Sequence, residues 1–316
     1  MAFNVSALSA YTKENEKELV FSSVLGSKTA DLIKAQGNVL LGVKSSEKIG
    51  IMDTDAFFQD GSSCGFNASG TTTFTQRSCT VGKIKVNEAL CMKDLESKYL
   101  QKALPEGSRY TEMIFAEDYS NRKAQKIASQ LETALWQGDL TSANGNLNKF
   151  DGLIALITAA GGSVVNANTV ANHGSVETSI TSANVVAIMD SVYKAIPAAV
   201  VAADDIRIFV GMDVFRLYTI ALKNANLFHY QVNEKADSEF FLPGTSVKVV
   251  AVQGLNGTSK IVAARISNLF IGTDMLNEEE RFEIFFAKES DQIRYVAEFK
   301  MGVQFAFPDE IVKFFV

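Results

Sequence analysis

Apolar residues recur along this chain with two rhythms, and each predicts a different element. Between Ser108 and Gly138 they fall at helical spacing: Ala124, Ile127, Ala128, Leu131, Ala134 and Leu135 form an i, i+3, i+4 stripe with Trp136 beside it. This predicts a helix of about 27 residues, roughly 40 Å long, with Ile127, Leu131, Leu135 and Trp136 as its core side chains and Gly138 as its C-terminal cap. A shorter stripe of Val185, Ile188, Met189, Val192 and Ile196 follows Ser182, a predicted N-cap, and stops at Pro197. Alternating positions then predict a strand at 206–210, a helix carrying Val214, Leu217, Tyr218 and Leu222, and a strand at 247–252. Further strands are predicted at 261–266, 269–272, 282–286 and 293–305. A small α/β unit followed by a run of antiparallel strands places the chain in the α+β class.

The segment from 45 to 87 is built differently. Asp60-Gly61-Ser62-Ser63, Gly65, Gly70 and Thr71-Thr72-Thr73 are turn and strand formers, and they predict one extended hairpin. Ile84 and Val86 alternate with Lys83 and Lys85 on its predicted return strand, while Phe57, Phe58, Phe66 and Phe74 surround its glycine-rich tip. A two-stranded ribbon cannot bury both faces by itself. Those rings therefore need partners, from this chain or from its neighbours. The first segment, Ser9 to Leu25, mixes charge with apolar residues and is read as an arm or edge helix ending at Gly26.

Composition narrows the function classes. The 316 residues are 47% hydrophobic and 21% charged, a globular balance that disordered chains do not have. A net charge of −6 excludes a protein that wraps nucleic acid with a basic surface. The longest apolar run, 198–203, is far short of the roughly 20 residues of a membrane span. Neither a secretory signal nor a Cys-x-x-Cys pair is visible, so Cys64, Cys79 and Cys91 are expected as reduced thiols in a cytoplasmic setting.

Candidate chemistry is sparse. Gly26-Ser27-Lys28-Thr29 lacks a glycine directly before the lysine, and Phe21 stands where a phosphate loop needs another; the segment reads as a helix end. His173 and His229 are far apart in sequence and in no metal-ligand spacing. The carboxylate pairs Asp53/Asp55 and Asp204/Asp205 and the run Glu278-Glu279-Glu280 read as solvated caps and turns. No catalytic, cofactor-binding or metal-ligating residue is assigned, and no cofactor is expected.

The order of these pieces carries a resemblance. The hairpin residues Phe58-Gln59-Asp60-Gly61-Ser62-Ser63-Cys64-Gly65 and Thr73-Phe74-Thr75-Gln76-Arg77 precede Leu135-Trp136-Gln137-Gly138-Asp139 at the long helix end. Phe150-Asp151-Gly152-Leu153 and Phe209-Val210-Gly211-Met212 follow. In this order, over nearly the whole chain, the sequence resembles the major capsid proteins of tailed bacteriophages, with the Hong Kong 97-type fold. The resemblance implies an N-terminal arm (1–44), an extended hairpin or E-loop (45–92), a peripheral domain with a spine helix (93–181), an axial domain (182–255) and return strands of the peripheral domain (256–316). It also implies that Phe57, Phe58, Phe66, Phe74, Lys83 and Lys85 of the hairpin make intersubunit contacts.

The implied function is a non-enzymatic shell subunit that assembles into hexamers and pentamers of an icosahedral capsid around double-stranded DNA, without sequence-specific binding and without a membrane. Assembly in the host cytoplasm, location in the virion, a portal and a separate scaffold protein are the expectations that follow; the alternative to a separate scaffold is a processed precursor. Some members of that family join subunits through a Lys–Asn isopeptide bond. Lys83 or Lys85 would be the lysine, but no asparagine and acid partner matches, so no residue is assigned to it. Rival readings are an encapsulin-type nanocompartment shell, a soluble α/β enzyme with a carboxylate site, and a tail-tube protein.

Overall fold

The helical stripe of the long helix faces two sheets at once, and the rest of the fold is arranged around it. The computed structural model describes residues 26–62, 65, 66, 68–91, 112–225, 238–274, 281–287, 289, 290 and 292–316. The arm as far as residue 25, Cys64, His229 and the Glu278–Glu280 run lie outside the described residues. In chain order the first elements are α1 (Lys28–Ala35), β1 (Val39–Leu41), β2 (Ser46–Thr54), β3 (Thr72–Thr80) and β4 (Gly82–Cys91). The long helix α2 (Glu112–Gln137) leads to α3 (Leu153–Ala159), β5 (Val165–Asn166), α4 (Val170–His173), α5 (Val185–Ala195) and α6 (Ala198–Val201). Then come β6 (Ile206–Gly211), α7 (Met212–Asn224), β7 (Glu239–Phe241), β8 (Lys248–Val252) and β9 (Lys260–Arg265). The last strands are β10 (Leu269–Thr273), β11 (Arg281–Ala287), β12 (Gln292–Phe305) and β13 (Val312–Phe315).

One sheet is five-stranded and organised by β12, which pairs antiparallel with β4 on one edge and with β10 and β11 in tandem on the other; β1 adds parallel to β10. Its inward residues Ile293, Tyr295, Ala297 and Phe299 belong to the same buried core as Ile127, Leu131 and Leu135 of α2. The other sheet is six-stranded, in the order β5-β13-β9-β6-β8-β7. It is buried on both faces, and the period of two decides which face each residue joins. Phe209, Val250, Val252, Val262 and Ala264 share the core of α2, whereas Ile208, Val249, Ala251, Ile261 and Ala263 pack under α5 and α7. Trp136 is fully buried at this junction, its ring 5.2 Å from that of Phe209.

Several sequence expectations change. Residues 256–316, grouped as return strands of one unit, divide between the two sheets: β9 and β13 complete the six-stranded sheet, and β10 to β12 build the five-stranded one. Gly138 does not end α2 in a left-handed cap. It is a glycine because an added Cβ would lie 2.5 Å from the carbonyl oxygens of both Ala134 and Phe150. Finally, α5 begins at Val185 rather than just after Ser182, since the Asn184 side chain accepts from Thr181 N–H at 2.7 Å and closes the preceding turn.

Gly26-Ser27-Lys28-Thr29 begins a helix rather than ending one. Ser27 caps α1 through Ala30 N–H, and the rest of the helix start is filled by a carboxylate from α2. Thr29 N–H donates to Glu132 Oε2 at 3.1 Å, the Thr29 hydroxyl donates to Glu132 Oε1 at 2.5 Å, and Trp136 Nε1 donates to Thr29 Oγ1 at 2.9 Å. Negative charge at a helix N-terminus is favourable, so the α1 start is matched inside the chain. Burial pushes the Glu132 carboxyl above its ordinary 4.5, against hydrogen bonds from Thr29, Ser27 and Trp136 that pull it down. Between 4.5 and its raised folded value the folded chain therefore keeps a proton that the unfolded chain has lost, and over that interval the contribution of this group to stability falls as pH rises. Glu132→Gln is expected to flatten that part of the stability–pH curve in urea unfolding. Glu132→Ala, which strands the buried Thr29 N–H, should cost about 1–3 kcal/mol.

Candidate interaction surface

Nine-residue strands β2 and β3 pair antiparallel from Ser46↔Thr80 to Thr54↔Thr72 and lift the loop 55–71 away from the body. Strands of that length span roughly 30 Å. Among the described residues, the base is the anchored part. Ile49 and the fully buried Cys79 pack on Ala306, Gln304 Nε2 donates to Ser78 O at 2.9 Å, and the Arg77 guanidinium lies 4.7 Å from the centre of the Phe305 ring. Burial pushes the Cys79 thiol up to about 11, so it stays protonated at neutral pH and serves as packing.

Beyond the base, no burial against the described residues supports the hairpin. Every described residue from Met52 to Gln76 is exposed. Phe58 is 105% exposed, Phe66 92%, Phe74 76% and Phe57 64%, and Met52 sits opposite Phe74 in the ladder. Single exposed apolar residues need no explanation, but a contiguous aromatic projection marks a surface that meets a partner. The tip is nonetheless ordered within itself: Asp60 accepts from Ser62 N–H and Oγ–H, Gln59 bonds Ser69, and Gly70 at φ +102 brings Asp55 O within 3.0 Å of where a Cβ would be. The hydrogen bonds from Ser62 hold the Asp60 carboxyl below the usual range.

Lys83 and Lys85 are not part of this projection. The hairpin's return strand ends at Thr80, and after Val81 the chain enters β4, whose whole length pairs with β12. Ile84 and Val86 pack toward α2, and Lys85 forms an ion pair with Glu298 at 2.7 Å across the ladder. The alternation in 83–86 was read correctly, but alternation does not say which strand is the partner.

The remaining sequence candidates carry structure. His173 Nε2 lies 3.4 Å from Glu177, with its ring edge-on to Phe314. Asp205 holds Arg265 Nε at 3.1 Å and accepts from Ser267. Asp53 and Asp55 stand exposed at the start of the hairpin tip. An open cleft of about 670 Å³ past the end of α2 contains Asp139 and Asp151, yet both are spent on turns, accepting from Thr141 N–H at 2.7 Å and Leu140 N–H at 3.0 Å. Among the described residues no three His, Cys, Asp or Glu side chains converge on a metal-sized site, and no helix is long and apolar enough to cross a membrane.

No family model and no curated protein matches the chain. Solved structures do. A chain of the satellite phage P4 procapsid including size determination (Sid) protein aligns at 12% identity and a TM-score of 0.62, over 96% of this chain and 90% of that one. A chain from the capsid of an empty GTA particle aligns at 13% identity and 0.54, over 100% of both chains. One from the capsid of the native GTA particle aligns at 12% identity and 0.52, over 90% of this chain and 91% of that one. The chain thus has the α+β fold of these capsid structures, the Hong Kong 97-type fold.

Proposed function

We propose that this chain is a structural shell subunit that self-assembles into the hexamers and pentamers of an icosahedral phage-type capsid around double-stranded DNA. The observation that carries the reading is the hairpin, which leaves the rings of Phe57, Phe58, Phe66 and Phe74 exposed for neighbouring copies to cover. The fold supports it, being that of chains from the P4 procapsid and from GTA capsids. Each contact is modest, and the closed shell sums many of them. A subunit of net charge −6 does not bind the packaged genome through bulk attraction. The reading gives the chain no catalytic step, places it in the virion, and leaves portal and scaffold functions to other proteins.

Light scattering and negative-stain microscopy of the purified chain at increasing protein concentration and in crowding buffer test this. Closed particles of megadalton size are expected. A monomer or small oligomer under both conditions, or rings and tubes in place of closed shells, overturns the reading.

A further inference from the structure

The dipeptide Asn-Gly occurs twice in this chain, at Asn144-Gly145 and at Asn256-Gly257, and the structure places the two in opposite situations. An asparagine followed by glycine is open to attack from its own backbone. With no Cβ on the glycine, its nitrogen can approach the asparagine Cγ, close a five-membered imide and expel ammonia. The fold decides whether this happens, through the freedom of the glycine N–H and the direction in which the asparagine side chain is held.

At 256–257 both groups are tied to another element. Gly257 N–H donates to Asp213 Oδ2 at 3.0 Å, and Asn256 Oδ1 accepts from Met212 N–H at 2.7 Å, which pins the side chain against the start of α7. The same turn is held from α2 by Gln137 Nε2, which donates to Gly254 O at 2.7 Å.

At 144–145 the side chain is turned back over its own glycine. Asn144 Oδ1 accepts from Asn146 N–H at 3.0 Å, a donor on the oxygen where negative charge develops during the attack. Among the described residues nothing accepts from Gly145 N–H, and nothing holds Asn144 Nδ2, the leaving group. Both residues are exposed, with open space around Gly145. We infer that Asn144 is a site of spontaneous deamidation and that Asn256 is locked against it. Gly145 N gives its proton to solvent base and bonds to Asn144 Cγ; the Cγ–Nδ2 bond breaks, and the nitrogen takes up a proton and leaves as ammonia. Water then opens the imide at either carbonyl, giving aspartate or its β-linked isomer. Each event adds a negative charge to a subunit of net charge −6. The β-linked product also takes Asn144 O out of the main chain, where it accepts from Leu147 N–H at 2.9 Å.

The test is to age the purified full chain at mildly alkaline pH and follow both dipeptides by peptide mass spectrometry, with isoaspartyl methyltransferase labelling to count the β-linked product. Conversion of amide to acid at Asn144 is expected to run about tenfold or more ahead of that at Asn256, because a hydrogen-bonded N–H must first open locally before it can attack. In urea, where the fold no longer distinguishes them, the two are expected to convert at similar rates. Equal rates in the folded chain, or an Asn144 that converts more slowly folded than unfolded, overturn the assignment. Asp213→Ala, which releases Gly257 N–H, is expected to raise conversion at Asn256 and leave Asn144 unchanged. An unchanged Asn256 in that variant, with its fold confirmed by circular dichroism, overturns the lock.

Discussion

Replacing Phe57, Phe58 and Phe74 together by serine is expected to leave the isolated subunit folded and to abolish particle formation. In the subunit these rings are exposed, Phe58 completely, so their removal takes no apolar area out of its core. Surface changes of this kind alter stability by about 0.5 kcal/mol or less each. On the proposed shell reading the same rings are covered. Burying a phenylalanine side chain is worth about 1.5–3 kcal/mol, so three of them represent most of the affinity of a weak subunit contact. The loss recurs at every copy, which turns a moderate pairwise defect into the absence of closed shells. Thermal unfolding of the dispersed protein, paired with light scattering under assembly conditions, separates the two effects. A variant that fails to fold would mean that the rings serve the subunit's own core. Substitution at the hairpin base is the internal contrast: Ile49 and Cys79 are packed against Ala306, so changes there should unfold the subunit locally before they touch assembly.

How much of this was legible in the sequence follows from the range of the interactions involved. The α2 stripe could be read because it is local: residues three and four apart must share a face, and Ile127, Leu131 and Leu135 do. The strands 261–266, 269–272, 282–286 and 293–305 were legible within a residue or two for the same reason. What failed was pairing. Nothing in the alternation of Lys83, Ile84, Lys85 and Val86 says that their partner is β12, more than 200 residues further on, rather than β3 next door. Two glycines with ordinary turn chemistry on paper, Gly138 and Gly152, exist because the α2 end and the 150–153 turn approach backbone to backbone, with Gly152 N–H donating to Gly138 O at 2.9 Å. The Glu132–Thr29–Trp136 network was not anticipated at all, because it joins residues from separate elements. The exposed rings were visible in the sequence, because a glycine-tipped ribbon has no second layer in which to hide them.

Leu135→Ala is expected to destabilise the dispersed subunit by about 2–5 kcal/mol, the range for deleting a fully buried leucine from a core that cannot collapse around the gap. Leu135 is 0% exposed and lies where the α2 core meets both sheets, so the surrounding backbone is fixed from two sides. Ile127 and Leu131, at 6% and 4%, face the five-stranded sheet and should fall lower in that range on the same substitution. Gly254→Ala tests the opposite error at the same junction. An added Cβ would lie 2.2 Å from the Trp136 ring and 2.4 Å from Glu132 O, and neither can step aside: the indole is hydrogen-bonded to Thr29, and the carbonyl belongs to α2. Overpacking of this kind costs about 1–3 kcal/mol, and more when the obstacle is backbone. Urea unfolding in the serine-tip background keeps both measurements on a dispersed chain, so that assembly does not mask the loss. Near-neutral results for Leu135→Ala and Gly254→Ala together would mean that α2 does not bridge the two sheets.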